Sequence, residues 1–336
     1  MDELVKILDA GWKAVASGDA DRVRDCAKQV LAEYPQDAEA LTLLGTGLRL
    51  AGELPEALAL FEKAHGLEPG YPEPALSAAE LHIDFTGDWE AALRYGMKVL
   101  YMGEARPPDK AVAHLVRAEG WLGLDSAESA LEELDQVPPA DRRNPDQAYT
   151  RGRCMYELRR DDEAFEALAE AIELREDHAD AHYALALIHQ ARSEFEEMVW
   201  EFRRVLEIEG ELPLAPHAMS RDGFAALAEQ ALAELPEDLR EQLRDVAVVV
   251  EDRPSAALVE DGVDPRLLGL FDGLPYPDKG SGVARGPDRI VLFQRNLEAF
   301  CRDTQEIERE IRTTVIHEAG HFFGMDEEEL ARRGLD

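Results

Sequence analysis

The sequence predicts a two-part, mainly helical chain: an all-α array of helical repeats over residues 1–212, and a small α/β (α+β) domain over residues 221–336. Two observations predict this division. In the first part, small and large apolar residues recur with a period of about 34 residues, which is typical of stacked helix pairs. That period stops at a Pro-bearing link over residues 213–220, and short runs of β-branched residues follow.

The clearest repeat lies over residues 44–69, where Gly45 and Ala57 hold small positions and Phe61 holds a large one. This is the pattern of a tetratricopeptide repeat (TPR), in which small residues at fixed points let two helices touch. The same positions in the neighbouring units hold Gly11, Ala27, Val30, Pro35, Ala79, Ala91 and Tyr95. A diverged pair near 109–138 follows, and the period then restarts with Gly152, Ala164, Leu168, Ala171, Ala186, Phe202 and Val205. About six helix pairs are therefore predicted.

Arrays of this kind offer an extended concave surface to a protein or peptide. The first helix of each predicted unit would present there Glu39, Glu73, Glu80, Tyr149, Tyr156 and Tyr183. We therefore expect a protein or peptide partner. The alternative interpretation is that these are ordinary surface residues of a spacer, because the faces of such arrays vary widely.

The composition limits the partners and the compartment. Asp and Glu number 71 against 36 Lys and Arg, and the resulting net charge of −35 opposes binding to nucleic acid or to an anionic membrane. No basic-then-apolar leader and no membrane-spanning apolar stretch stand out. Cys26, Cys154 and Cys301 are far apart, which argues against a disulfide framework and fits a reducing compartment. We expect a cytoplasmic protein.

The second part carries both helix and strand signals. A helix is predicted over 221–235, and Pro236 ends it. Residues 246–250 and 290–293 are short apolar runs rich in β-branched residues, each the length of a strand. They predict a small sheet. Residues 272–287 are crowded with Gly and Pro and predict a long exposed loop.

One segment of the second part holds residues with metal and acid–base chemistry: His317-Glu318-Ala319-Gly320-His321. Apolar residues recur through it at helical spacing, so the two histidines lie on one face of a helix and both imidazoles can reach one metal ion. This is the H-E-x-x-H pattern of zinc peptidases, in which Glu318 would be the catalytic carboxylate. Gly324 follows directly and predicts a left-handed turn that folds the chain back towards the metal.

A catalytic zinc site usually holds three protein ligands and leaves a fourth position open. Glu327 follows His317 by ten residues, the spacing at which H-E-x-x-H-x-x-G-x-x-H peptidases place their last ligand. Asp326 is the alternative third ligand, since helix ends are uncertain by a residue. A third interpretation makes the acidic run a solvated helix start. Cys301 lies in the same part of the chain but lacks C-x-x-C spacing, so we do not expect it to bind zinc.

Three further histidines suggest a second metal site, which we do not predict. His178 and His182 are four residues apart near a predicted helix start, and His189 follows. However, no third ligand stands at a set spacing, and histidines at caps and turns are common. Structural roles are therefore expected for all three side chains.

Four sequence blocks follow one another along the second part: VVEDRP at 249–254, LLGLF at 267–271, PDRIVLF at 287–293 and TTVIHEAGHFFG at 313–324. Together they resemble the bacterial minimal zincin-like metallopeptidase family, over roughly residues 220–336. The resemblance implies a compact zincin-like domain with His317 and His321 as zinc ligands and Glu318 as the catalytic carboxylate. Many members have Asp where this chain has Glu327, with Asp326 one position earlier.

These observations favour zinc-dependent hydrolysis of peptide bonds, with the array recognising a protein or peptide and the substrate added as a strand beside the small sheet. The alternative is a non-enzymatic TPR scaffold whose last domain is a degenerate or structural zincin. A closed structural zinc site would require four firm ligands, which the sequence does not supply.

Overall fold

The structure is a computed structural model and describes residues 2–215, 217–235, 237–273 and 288–333. The chain forms two compact units, Met1–Glu194 and Phe195–Asp336. The domain boundaries predicted at residues 212 and 220 stay predictions. Among the described residues, no helix combines the length and the apolar composition that a membrane crossing requires.

The first unit consists of helices that pack against their neighbours in chain order. It also contains a π-helical turn at His82–Thr86 and a 3-10 turn at Pro139–Asp141. The α-helices are α1 Asp2–Val15, α2 Ala20–Glu33, α3 Ala38–Leu50, α4 Leu54–Leu67, α5 Pro72–Leu81, α6 Trp89–Tyr101, α7 Pro107–Gly123, α8 Ala127–Gln136, α9 Pro145–Glu157, α10 Asp161–Leu174 and α11 Ala179–Ala191. The predicted all-α repeat array is confirmed.

The small positions of the repeat are places where two helices touch. A Cβ atom added at Gly45 in α3 would lie 2.7 Å from Cε1 of Phe61 in α4, and Phe61 is fully buried. In the same way, a Cβ at Gly152 in α9 would lie 2.7 Å from Cγ of Leu168 in α10. Interiors are packed too densely to absorb such an overlap. The predicted role of small residues, close approach of paired helices, is therefore confirmed at these two pairs.

The second unit combines helices with a three-stranded sheet. Its helices are α12 Phe195–Gly210, α13 Arg221–Ala233, α14 Glu237–Leu243, α15 Ala256–Glu260, α16 Gln294–Phe300, α17 Thr304–Phe322 and α18 Glu327–Arg333. Its strands are β1 Ala247–Glu251, β2 Gly269–Asp272 and β3 Arg289–Phe293. The core lies between the sheet, α13 and α17, and includes Phe224, Ile290, Leu292, Ile311, Val315 and Phe322.

The sheet has the order β1-β3-β2, with β1 parallel and β2 antiparallel to β3. Strands predicted at 246–250 and 290–293 are found as β1 and β3. The sequence did not predict β2, whose last residue, Asp272, was assigned to the start of the predicted loop. The rest of that loop, residues 274–287, lies outside the described residues.

Helix α12 belongs to the second unit and packs against α15. A largely buried ionic network fixes its end: Glu209 accepts hydrogen bonds from Arg253 Nη1 and from Arg266 Nε, both at 2.8 Å. Arg253 Nη1 also donates to Oδ1 of Asn296 at 2.6 Å. Buried charges require such partners because an unpaired charge in an apolar interior is strongly destabilising. This network therefore ties α12 to the loops that follow β1 and α15.

The segment between α12 and α13 is held by hydrogen bonds to α16. His217 Nε2 donates to the carbonyl of Glu298 at 2.9 Å, and the Met219 N–H donates to the Glu298 carboxylate at 2.9 Å. Gln294 donates to the Met219 carbonyl at 2.9 Å. The predicted link over 213–220 therefore contacts α16, within the second unit, through His217 and Met219.

Candidate metal centre

Helix α17 presents the H-E-x-x-H segment. Asp303 caps its start by accepting the N–H of Glu306 at 2.8 Å. A stripe of fully buried residues at helical spacing, Ile307, Ile311, Val315 and Phe322, packs into the core. Packing of this stripe orients the helix about its own axis. His317 and His321 consequently lie on a partly exposed side of it, one turn apart.

The two imidazoles face each other. The Nε2 atoms of His317 and His321 are 3.2 Å apart, and the ring planes are nearly perpendicular at 81°. His321 Nδ1 lies 3.1 Å from the carbonyl oxygen of Met325. Because a carbonyl only accepts, Nδ1 carries the hydrogen, and Nε2 of the neutral ring presents its lone pair towards His317.

This geometry fits a shared metal ion. Two nitrogens bound to one tetrahedral zinc at roughly 2.0–2.1 Å lie about 3.3 Å from each other. The observed separation of 3.2 Å between the two Nε2 atoms agrees with that value. In zinc sites, a ligating histidine typically donates its other ring N–H to a carbonyl or carboxylate. The contact of His321 Nδ1 with the Met325 carbonyl is a hydrogen bond of this kind.

The chain turns back immediately after the motif. Gly324 has a φ of +79°, and its N–H donates to the carbonyl of His321 at 2.9 Å. The predicted left-handed turn is therefore confirmed. Helix α18 then packs closely on α17, since a Cβ at Gly320 would lie 2.3 Å from Cδ2 of the fully buried Leu330.

The candidate third ligands lie at the start of α18. Asp326 caps this helix, since its Oδ1 accepts the N–H of Glu329 at 2.9 Å, and the side chain is exposed. Glu327 is the first residue of α18, but its side chain lies outside the described residues. Within the described part of the chain, no group of three or more His, Cys, Asp or Glu side chains could hold a metal ion. The third ligand stays a prediction.

Glu318 points away from the histidines' exposed side and towards the sheet. It is 6% exposed, and its Oε2 accepts the main-chain N–H of Phe271 at 2.6 Å. Phe271 lies on β2, an edge strand of the sheet. The catalytic carboxylate predicted from the sequence is thus fixed by a strand that the sequence did not predict. The only sequence signal for this strand is the LLGLF block at 267–271.

Gly269 gives Glu318 its space, which predicts the effect of a substitution there. A Cβ at residue 269 would lie 2.5 Å from Cγ2 of Thr314 and 3.2 Å from Cγ of Glu318. We expect Gly269→Ala to destabilise the protein by about 1–3 kcal/mol through overpacking and to impair any activity that depends on Glu318. Denaturant unfolding and peptide hydrolysis, measured on one preparation, test this.

The matched control is Gly210→Ala, because a Cβ there meets no atom within 4 Å. It should leave both quantities nearly unchanged. If Gly269→Ala leaves stability and hydrolysis at the level of the control, β2 can move to accommodate the methyl group, and the proposed packing role of Gly269 is wrong.

The other residues considered from the sequence have structural contacts. His178 Nδ1 accepts the Ala181 N–H at 3.4 Å as a helix cap, and His182 Nε2 donates to the Glu176 carbonyl at 3.0 Å. His189 Nδ1 lies 2.7 Å from the Glu194 carboxylate. Burial raises the pKa of Cys301 to about 12, so that its thiol remains protonated at neutral pH.

Comparison with known proteins agrees with this division of the chain. Residues 243–335 match the family described as zincin-like metallopeptidase, which confirms the resemblance drawn from the four sequence blocks. The chain is therefore a TPR-like helical array followed by a zincin-like region. No curated protein matches it.

Solved structures resemble the helical array. A structure titled as a functional characterisation of Pseudomonas aeruginosa pilF is 13% identical, with a TM-score of 0.51, and the match covers 63% of this chain and 94% of that one. The Cut9-Hcn1 hetero-tetramer of APC/C is 16% identical, with a TM-score of 0.54, over 62% of this chain and 41% of that one. A thermophilic TPR protein of Thermus thermophilus is 23% identical, with a TM-score of 0.46, over 52% and 92%. At these identities the likeness concerns the fold alone.

Proposed function

We propose that this chain is a zinc-dependent peptidase whose helical array recognises a protein or peptide. The observation that carries the proposal is the pair of Nε2 atoms on α17, 3.2 Å apart, with the buried carboxylate of Glu318 between the two histidines in sequence. This arrangement lies within the region that matches the zincin-like metallopeptidase family.

His317 and His321 would hold the zinc ion, with Glu327 or Asp326 as the third ligand. When bound, zinc would polarise a peptide carbonyl and lower the pKa of water to about 7. The hydrogen bond from His321 Nδ1 to the Met325 carbonyl places the ring hydrogen on Nδ1, so that Nε2 is the nitrogen that would bind the metal. In this proposal the two histidines bind the zinc ion, and the turn at Gly324 orients His321 through Met325.

Glu318 would move the proton. Its carboxylate accepts a proton from the attacking water and delivers it to the departing amine, as general base and then general acid. The Phe271 N–H donates to one of its oxygens at 2.6 Å, which fixes the orientation of the carboxylate. A substrate peptide would lie as an added strand beside the edge of the small sheet, held by main-chain groups other than the Phe271 N–H, which donates to Glu318.

The charge of the array favours a basic partner. Burial raises the pKa of Glu73, and the charges of nearby Asp109, Glu39 and Glu80 raise it further. Burial, with the charges of Asp84 and Glu80, likewise raises the pKa of Glu119 to about 7. Burial is the largest cause of both shifts, and Arg106 and Arg153 lower the pKa of Glu73 and Glu119 respectively; a cationic peptide would act in the same direction as these arginines and favour the charged carboxylates. We propose a cytoplasmic setting, in which the three unpaired cysteines would stay reduced.

Zinc content tests the proposal first. After reconstitution and dialysis, the protein is expected to retain about one zinc ion per chain and to cleave members of a broad peptide library. His321→Ala should lower the zinc affinity by at least about tenfold and abolish cleavage, because it removes one of the few ligands. Elemental analysis and mass spectrometry of the digested library measure the two outcomes.

His189→Ala is the matched control, since it removes an imidazole whose partner is Glu194 in the first unit. It should leave zinc content and cleavage unchanged. The alternative function is a non-enzymatic TPR scaffold with a degenerate or structural zincin domain. Absence of stoichiometric zinc after reconstitution would support the scaffold and contradict the peptidase.

A further inference from the structure

The first unit contains an open cleft with an apolar lining. Its volume is 940 Å³, and it lies between α4, α6 and the residues that follow α6. Its large apolar lining residues are Leu93, Met97, Tyr101 and Met102. Tyr101, at 82%, is the most exposed large hydrophobic side chain among the described residues. A volume of this size is within the range of sites that hold one small molecule.

The rim of the cleft is cationic, although acids outnumber bases by 71 to 36 in the whole chain. Arg94 and Lys98 project from α6 on the side of the cleft. The Lys98 ammonium lies 4.2 Å from the centre of the Tyr95 ring and has no ion pair within the described residues. The nearest anion to Arg94 is Asp88, at 4.0 Å. Glu104 is an exposed acidic residue at the same cleft.

A buried imidazole lies in the wall of the cleft. His65 is 8% exposed, and its Nδ1 has no hydrogen-bond partner among the described residues. Burial lowers the pKa of His65, and the charge of Lys98 lowers it further, so the ring is mainly neutral at pH 7. By contrast, the positive charge of Arg117 is compensated by the Glu133 carboxylate, to which its Nε donates at 2.8 Å. The positive charge available to a ligand therefore comes from Arg94 and Lys98.

We infer that this cleft binds an amphipathic monoanion with a long apolar chain, of the class of long-chain fatty acids. The apolar tail would lie against Leu93, Met97 and Met102, where flexible methionine side chains adapt to its shape. The carboxylate would pair with Lys98 and Arg94. Because charges are screened beyond about 8 Å at physiological salt, a single negative charge responds mainly to the cleft's own residues, among which Lys98 and Arg94 outnumber the one acid of the lining, Glu104. A polyanion would be repelled by the net charge of −35.

Dodecanoate, kept below its micelle concentration, is the probe, and calorimetry with the full chain measures its binding. One saturable site per chain is expected. Lys98→Glu should weaken the affinity by at least about tenfold, which corresponds to about 1.4 kcal/mol. Lys63→Glu makes the same charge change at an exposed position of α4 outside the cleft lining and should have little effect. Thermal unfolding of each variant checks its fold.

A second variant and a second ligand separate this site from general detergent binding. Met97→Glu, which places a charge in the apolar lining, should also weaken dodecanoate binding by tenfold or more. Dodecyltrimethylammonium, with the same tail and the opposite charge, should bind at least tenfold more weakly than dodecanoate. The inference is overturned by absence of saturable binding, by equal losses in Lys98→Glu and Lys63→Glu, or by equal affinity for the cationic ligand. It does not depend on the peptidase proposal.

Discussion

Replacing Glu318 by glutamine is expected to lower peptide hydrolysis by about 10²–10⁴-fold while the protein keeps its zinc. Glutamine has nearly the same shape, and its amide oxygen can still accept the Phe271 N–H, which lies 2.6 Å from the carboxylate in the native protein. Its amide cannot take up a proton at neutral pH. The substitution therefore removes proton transfer and keeps the packing of α17 against β2.

Glu298→Gln is the matched control for that experiment. Glu298 is also a buried carboxylate, 2% exposed, and it also accepts a main-chain N–H, from Met219 at 2.9 Å. A general loss of buried charge would affect both variants, whereas a catalytic role would affect Glu318→Gln alone. Initial rates on one cleaved peptide, with zinc measured on the same samples, distinguish these results. Full activity in Glu318→Gln would falsify the proposed role of this residue.

Gly320→Ala is expected to weaken zinc binding by about 10–100-fold without touching a ligand. The new Cβ would lie 2.3 Å from Cδ2 of Leu330, and because this leucine is fully buried we expect α18 to shift away from α17 rather than the side chain alone to move. This shift moves Asp326 and Glu327 relative to the histidines. Overpacking costs about 1–3 kcal/mol, which the better helix propensity of alanine offsets by up to about 1 kcal/mol. Zinc titration and thermal unfolding measure the two effects.

A compensating substitution tests the cause. In Gly320→Ala/Leu330→Ala, the removed side chain makes room for the added methyl group, and zinc affinity should recover relative to Gly320→Ala alone. Gly66→Ala is the control for helix propensity, because a Cβ there meets no atom within 4 Å; it should leave zinc binding unchanged. Unchanged zinc affinity in Gly320→Ala would show that the position of α18 is unimportant for the metal.

Local sequence patterns were sufficient for the array and for the motif helix. The contact between Gly45 and Phe61 could be predicted from the repeat period, because each unit packs mainly on its neighbours in the sequence. Gly324 likewise indicated the end of α17, since its positive φ is a property of the local backbone. In both cases the information lies within a few turns of chain.

Interactions between distant segments could not be predicted in this way. Glu318 and Phe271 are separated by 47 residues, and β2 has only four residues, so neither its existence nor its hydrogen bond follows from a local pattern. The pairing of Glu209 with Arg253 and Arg266 is equally long-range and places α12 in the second unit. The composition of residues 213–220 indicated only a link. Their contacts with α16 could not be predicted, because the partner residues lie about 80 positions away in the sequence.

The segment before α13 also determines where the zincin-like region can be cut from the chain. A fragment that begins at Arg221 would lack His217 and Met219, and would leave the buried carboxylate of Glu298 and the amide of Gln294 without main-chain partners. It would also lack Glu209, the carboxylate that pairs with the largely buried guanidinium of Arg253. The shortest fragment that retains these contacts begins with α12, so the minimal folding unit of the metal centre is longer than the segment that carries its sequence signature.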